Sequence, residues 1–155
     1  MESLLKRTQT GSLATVGADG QPYITVLNHL YIAADPEPGN TNAAYGCIYF
    51  HCALTGRKLE NIGHESRVCF SVYEMEQVEI GSHSCNCTVY YDSVLAFGTA
   101  RIINNHPDKE NILNALTAKY AGHNLPTAPG DSYAVTGLVK ITISELSGKR
   151  SFDNS

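Results

Sequence analysis

Apolar and polar residues alternate along most of this chain, and that two-residue period predicts strands. Residues 12–17, SLATVG, alternate small polar with apolar side chains. Asp19-Gly20 then supplies a type I′ turn signal before a second apolar run, so the two runs predict a β-hairpin. That second run, PYITVLNHLYI over 22–32, sends Ile24, Val26, Leu30 and Ile32 to one face and Tyr23, Thr25, Leu27, His29 and Tyr31 to the other. Both faces are apolar enough to be largely covered. IYFHC (48–52), RVCFSVYEM (67–75), TVYYDSVLAFGTARII (88–103) and VTGLVKITISEL (135–146) continue the strand pattern. In the last of these Val139, Ile141 and Ile143 stand opposite Lys140, Thr142 and Ser144, and in the long run before it Gly98 marks a bulge or bend.

The segment 107–121 breaks the alternation. Ile112, Leu113, Leu116 and Tyr120 recur at helical spacing, and Pro107 with Asp108 resembles a helix start. The segment 33–46 gathers Pro, Gly, Asn and Asp with no apolar period, which predicts an exposed connection. Six or so strands, antiparallel hairpin signals and one substantial helix predict a mainly β, closed or partly closed barrel rather than a parallel α/β sheet. With 155 residues the chain fits one domain spanning 1–155.

Charge narrows the function classes. Charged residues are 17% of the chain and the net charge is -4, so no broad basic surface is available to neutralise a polyanion, and nucleic acid is not an expected partner. The first residues, MESLLKRTQTGSL, lack the apolar core of a secretory signal, and no run of apolar residues is long enough to span a membrane. A soluble, cytoplasmic protein is expected. The cysteine number is odd; Cys47, Cys52 and Cys69 fall in strand segments, where reduced core thiols are expected. His83, Cys85 and Cys87 offer three soft ligands close together but lack the partner pair of a structural zinc site, so this stretch reads as a loop with incidental thiols and no metal is expected.

The chemistry is concentrated between Ile48 and Ile62. A strand runs into a tight turn carrying Arg57 and Lys58, with Leu59 and Ile62 three apart behind it and Asn61-Gly63 as a helix stop. Backbone N–H groups and two cations converge there on a dianion, which suits a phosphate-bearing cofactor. A solvated surface turn is the alternative. In an acidic chain with only 11 Lys and Arg, the adjacent pair beside Thr55 stands out as a local anion site.

The motifs GSLATVGADGQPYITVLNHLY, IYFHCALTGRKLENI, SRVCFSVYEM and YYDSVLAFGTARI, in that order, resemble the flavin-binding split barrels related to pyridoxamine 5′-phosphate oxidase over about residues 10–105. The Phe-His-x-Ala-x-x-Gly-Arg-Lys run and the terminal SGKRS resemble the 5-nitroimidazole resistance branch. The resemblance implies a six-stranded antiparallel split β-barrel with flanking helices, a homodimer, and FMN at the subunit interface. By the same resemblance Arg57 and Lys58 bind the FMN phosphate, Thr25, Val26 and Asn28 line the flavin, and His51 and Cys52 border it from the strand end. Ser93 falls where the partner subunit reaches the ring.

The activity so implied is reduction of a small molecule, nitroimidazole-like compounds being candidates, with NADH or NADPH as electron donor and His51 as the catalytic residue that orients or protonates the substrate. The alternative is a flavin or haem carrier without turnover, with His51 or His29 as axial ligand. His29 otherwise reads as a packed or interface histidine, and His64, His106 and His123 as residues of helix ends or loops. Authentic pyridoxamine phosphate oxidases end in a segment with tryptophan and an arginine motif. This chain has no Trp and closes with GKRSFDNS, which argues against vitamin B6 synthesis.

Overall fold

One antiparallel sheet carries the fold. The computed structural model describes residues 1–33, 45–121 and 130–151. In chain order the elements are α1 (Glu2–Arg7), β1 (Thr10–Val16), β2 (Pro22–Asn28), β3 (Leu30–Ile32), β4 (Cys47–Cys52), α2 (Arg57–His64) and β5 (Arg67–Glu79). A 3₁₀ turn (Ser84–Asn86) follows, then β6 (Thr88–Ile102), α3 (Lys109–Ala121), α4 (Gly130–Ala134) and β7 (Gly137–Arg150). Most of the expected connection 33–46, and His123, lie outside the described residues.

The strand order is β2-β1-β5-β6-β7-β4-β3. Strands β2 and β3 occupy opposite ends of that order, yet only His29 separates them along the chain. The sheet therefore curls until its two ends meet at His29, which makes it a closed, split barrel. The described strands number seven rather than six, because the run 22–32 breaks at His29 and its two halves pair with different neighbours, β1 and β4.

Alternation fills the barrel. Leu13, Ile48, Phe50, Phe70, Val139, Ile141 and Ile143 are fully buried inside it, each side chain contributing about 1.5–3 kcal/mol relative to exposure. Helix α3 covers the outside: Ile112, Leu113 and Leu116 form a second cluster with Leu138, against which Tyr49 packs. Gly98 sits at a register shift between Phe97 and Gly98, and a Cβ there would stand 2.1 Å from the Thr142 carbonyl oxygen. No larger residue fits.

Three expectations change. The β1–β2 connection is not a type I′ turn but a longer one: Gly20 N–H donates to the Gly17 carbonyl (2.9 Å), Gly17 N–H donates to the Gln21 carbonyl (3.0 Å), and Gly20 alone in the loop has positive φ (77°). A type I′ turn needs positive φ at both central residues, and Asp19 does not adopt it; its Oδ1 instead accepts the Gln21 N–H. Second, one face of β2 is open, with Ile24 64% and Val26 67% exposed. Third, α1 and α4 emerge where no periodicity announced them, being six and five residues long. Among the described residues no helix is long and apolar enough to cross a membrane. All five cysteines are free, with Cys47 buried, Cys52 and Cys69 half-buried and Cys85 and Cys87 exposed. Among the described residues no three His, Cys, Asp or Glu gather where they would hold a metal ion.

Candidate functional site

Strand β4 delivers the chain to the basic turn. Its alternation sends Phe50 into the core, His51 outward and Cys52 back to a half-buried position. Gly56 then adopts φ 135° and ψ 164°, a backbone conformation essentially restricted to glycine, and from it α2 starts at Arg57. The Gly56 carbonyl accepts the N–H groups of Leu59 (2.9 Å) and Glu60 (3.2 Å). No side chain caps this end, so the first N–H groups and the positive end of the helix dipole face the turn.

Helix α2 is pinned from below. Leu59 and Ile62 enter the barrel core, and buried Asn61 donates from Nδ2 to Thr15 Oγ1 (3.0 Å), which donates to the Tyr23 carbonyl (3.3 Å). Asn61 is thus not a helix stop: the helix continues to His64, and the Asn61 carbonyl accepts the Glu65 N–H (2.8 Å). The same chain of bonds ties α2 to β1 and β2. Above it the Arg57 guanidinium lies over the Tyr23 ring, 4.8 Å from its centre. Lys58 is half-buried, and its charge partly offsets the burial that pushes the Cys52 thiol up.

Thr25 lies two residues beyond Tyr23 on the same face of β2, about 7 Å further along the strand. Its Oγ1 is buried without a hydrogen-bond partner. An unmet buried hydroxyl costs about 1–3 kcal/mol, so this position suits a ligand that supplies the missing bond. Arg57, Lys58, Thr25 and the uncapped helix start match a phosphate-bearing cofactor in charge and in donors.

The other predicted site residues lie elsewhere. Val26 and Asn28 alternate with Thr25 and point to the outer, exposed face. Ser93, on β6, shares that outer face three strands away, and its Oγ donates to the Lys149 carbonyl (3.5 Å). His51 is exposed and pairs with Leu138, so it stands on the side of the barrel covered by α3, not with the Arg57 turn. Tyr23 and Thr15 belong to this site without a motif of their own; their signal in the sequence is only that both fall within the predicted hairpin.

His29 is a structural residue. It is fully buried, its Nε2 donates to the Leu5 carbonyl (2.9 Å), and its ring meets Phe70 edge-on at 4.9 Å. Burial, with the Lys119 charge nearby, brings its pKa down to about 4 against the opposing effect of the Leu5 bond. Its backbone carbonyl accepts bonds from Lys119 Nζ (2.9 Å) and the Tyr120 hydroxyl (2.8 Å). Position 29 is packed, as expected of it.

A second cleft, about 440 Å³, opens under α1 between Leu4, Arg7, Asp92, Val94 and Arg150. Here Asp92 accepts from Arg7 Nη2 (3.2 Å) and from Arg150 Nε and Nη2 (2.5 and 2.6 Å), while Arg7 also donates to Glu74 (2.6 Å). The arginines are bound to the protein's own acids. This cluster is a clasp holding α1 and the end of β7 to β6.

The sequence matches the family model described as pyridoxamine 5′-phosphate oxidase over residues 1–150. No curated protein sequence matches it. The fold is similar to that of a protein assigned to 5-nitroimidazole antibiotic resistance from Bacteroides thetaiotaomicron, at 15% identity and TM-score 0.72, covering 95% of this chain and 80% of the other. It is similar to a flavocytochrome from Azotobacter vinelandii, at 18% identity and TM-score 0.76, covering 98% of this chain and 66% of the other. An FAD- and haem-binding protein from Mycobacterium smegmatis is also similar, at 20% identity and TM-score 0.76, with 97% and 69% covered.

Proposed function

The chain belongs to the pyridoxamine 5′-phosphate oxidase family, and from that premise we propose that it is an FMN-binding oxidoreductase acting on a small molecule. The observation that carries the reading is the uncapped start of α2, where Arg57 is held over Tyr23 beside Lys58 and the unpartnered Thr25 hydroxyl. Arg57 and Lys58 bind the FMN phosphate through charge-assisted bonds, joined by the free N–H groups of the first helical turn. Thr25 Oγ1 gains a partner when the cofactor is present.

The protein works as a homodimer in this reading. Across β2, β1, β5 and β6, paired positions place Ile24, Ala14, Cys69 and Phe97 in one row of the outer face, and Val26, Ser12, Ser71 and Leu95 in the next. Ile24, Val26, Leu95 and Phe97 are all among the exposed large apolar residues. A second copy covers this face, which brings Val26 and Asn28 of one subunit and Ser93 of the other to the same interface.

Flavin, when bound, would supply hydride chemistry between NADH or NADPH and the substrate. The protein anchors the phosphate and excludes water by closing the dimer; a role for His51 in orienting or protonating the substrate requires the cofactor ring to reach from the Arg57 turn to the α3 side of the barrel, where His51 stands. A nitroimidazole-like compound is the candidate substrate, by similarity to the resistance branch. The reading calls for a cytoplasmic protein, since reduced nicotinamide cofactors and reduced thiols occur together there.

A flavin or haem carrier without turnover is the competing reading. The burial of His29 removes one of its two candidate axial ligands and leaves only His51. The absorption spectrum of the purified protein separates the two. Flavin bands that bleach with NADH or NADPH are expected; a Soret band, or flavin that neither donor reduces, contradicts the oxidoreductase.

A further inference from the structure

One face of α2 is fastened to one cross-strand pair of the β1–β2 hairpin. Arg57 and Asn61, four residues apart, stand one above the other on the helix. Thr15 and Tyr23 are directly opposite each other in the ladder. Arg57 lies over the Tyr23 ring at 4.8 Å, and Asn61 Nδ2 donates to Thr15 Oγ1 at 3.0 Å. The Arg57 side of this attachment is exposed, whereas Asn61 and Thr15 are 5% and 2% exposed.

The buried contact is the unexpected one. Leu59 and Ile62 already seat the helix in the core, and an apolar side chain at position 61 would serve stability as well. A buried amide costs free energy to desolvate, and its hydrogen bond returns little beyond that cost. What it adds is direction: apolar surfaces tolerate small slides of a helix, while a hydrogen bond fixes one position for its donor. Thr15 passes the constraint on, donating from Oγ1 to the Tyr23 carbonyl (3.3 Å). At Gly17, in the hairpin loop, a Cβ would stand 3.4 Å from Asn61 Oδ1, so the loop closes against the amide as well.

The consequence falls on the start of the helix. A long arginine side chain follows a shifted helix and still reaches its ligand. The N–H groups of the first turn do not, because they move with the backbone. Tyr23 and Thr25 share one face of β2, so fixing α2 against Tyr23 also fixes the distance from the helix start to the unpartnered Thr25 hydroxyl.

We propose that Asn61 is a positioning residue for the phosphate site, holding the first turn of α2 against β2 through Thr15 and the Tyr23 carbonyl. It touches no cofactor atom itself. The proposal rests on the FMN reading above and adds the residue that sets the geometry of the anion site.

Fluorescence titrations of FMN and of riboflavin, which lacks the phosphate, test it in N61L and R57A. N61L leaves Thr15 its bond to the Tyr23 carbonyl, so no buried donor is stranded. Its FMN affinity is expected to fall about 2- to 10-fold, the net worth of one hydrogen bond, with riboflavin affinity unchanged. The ratio of the two affinities is the deciding quantity, because a merely structural loss weakens both ligands alike. T15V and T15S carry the same comparison should N61L fail to fold. T15V is expected to lose FMN affinity, and T15S, which keeps the hydroxyl, to lie closer to wild type than T15V. An unchanged ratio in both N61L and T15V, with R57A still weakened for FMN, overturns the positioning role and leaves the phosphate site standing. R57A that binds FMN like wild type overturns the phosphate site itself.

Discussion

The guanidinium of Arg57 and the ring of Tyr23 are stacked, 4.8 Å from guanidinium carbon to ring centre, across the junction between α2 and β2. The contact holds a long, flexible side chain where the helix start needs a cation, so less conformational freedom is lost when a phosphate arrives. An exposed cation–π pair is worth about 0.5–1 kcal/mol. Tyr23→Leu is therefore expected to weaken FMN binding a few-fold, about 2- to 5-fold by that energy. Flavin fluorescence titration measures it; unchanged affinity would show that the stack does not prepare the site.

Gly56 sets the direction in which α2 leaves the turn. At φ 135° any other residue is strained, by about 1–3 kcal/mol. Nothing lies within 4 Å of a Cβ placed there, so the effect of Gly56→Ala is conformational rather than steric. The variant is expected to unfold at lower denaturant concentration and to bind FMN more weakly, because Arg57 and Lys58 follow directly. Equilibrium unfolding and FMN titration on one preparation report both effects.

His29 makes stability depend on pH. Its folded pKa of about 4 lies below the ordinary value of 6.5, so the unfolded chain binds more protons between these limits. Stability is then full above pH 6.5 and is lost as pH falls toward 4, by about 3 kcal/mol in total. Glu65, held at about 2 by Arg67, and Asp92, held low by Arg150 and Arg7, lose their contributions as pH falls through their ordinary values of 4.5 and 3.8, so they add to the loss at the acid end of this window and below it. Unfolding free energies at pH 7 and 4.5 are expected to differ in wild type, and to differ much less in His29→Gln.

Much of this fold was legible as alternation because strands half-buried in a barrel must alternate. Val139, Ile141 and Ile143 point inward as their spacing required, and Gly98 marks the bulge its isolation in a long strand suggested. The break at His29 was not legible. Residues 22–32 keep a two-residue period on both sides of it, and only the pairing of β3 with β4 shows that the strand changes partners. Helix α1 was hidden for a different reason: six residues are too few to display a helical period, and its two buried leucines are adjacent.

The candidate site was readable in part. Arg57 and Lys58 announced themselves because they follow a strand and a glycine and precede a helical pattern, and α2 starts at that pair. Asn61 was misread as a stop, since an asparagine near a glycine has the same signature whether it ends a helix or is buried within one. Whether Thr25 Oγ1 finds a partner, and which face Val26 and Asn28 take, depend on strand pairing that sequence spacing does not contain.

The central claim is that Arg57 and Lys58 grip the phosphate of FMN, and the most direct test is FMN affinity in wild type and in R57A/K58A. Charge-assisted bonds contribute about 1.5–3 kcal/mol each, so the double variant is expected to bind FMN at least about 100-fold more weakly. Its affinity for riboflavin, which lacks the phosphate, is expected to stay close to wild type. Equal FMN affinity in the two proteins would contradict the account.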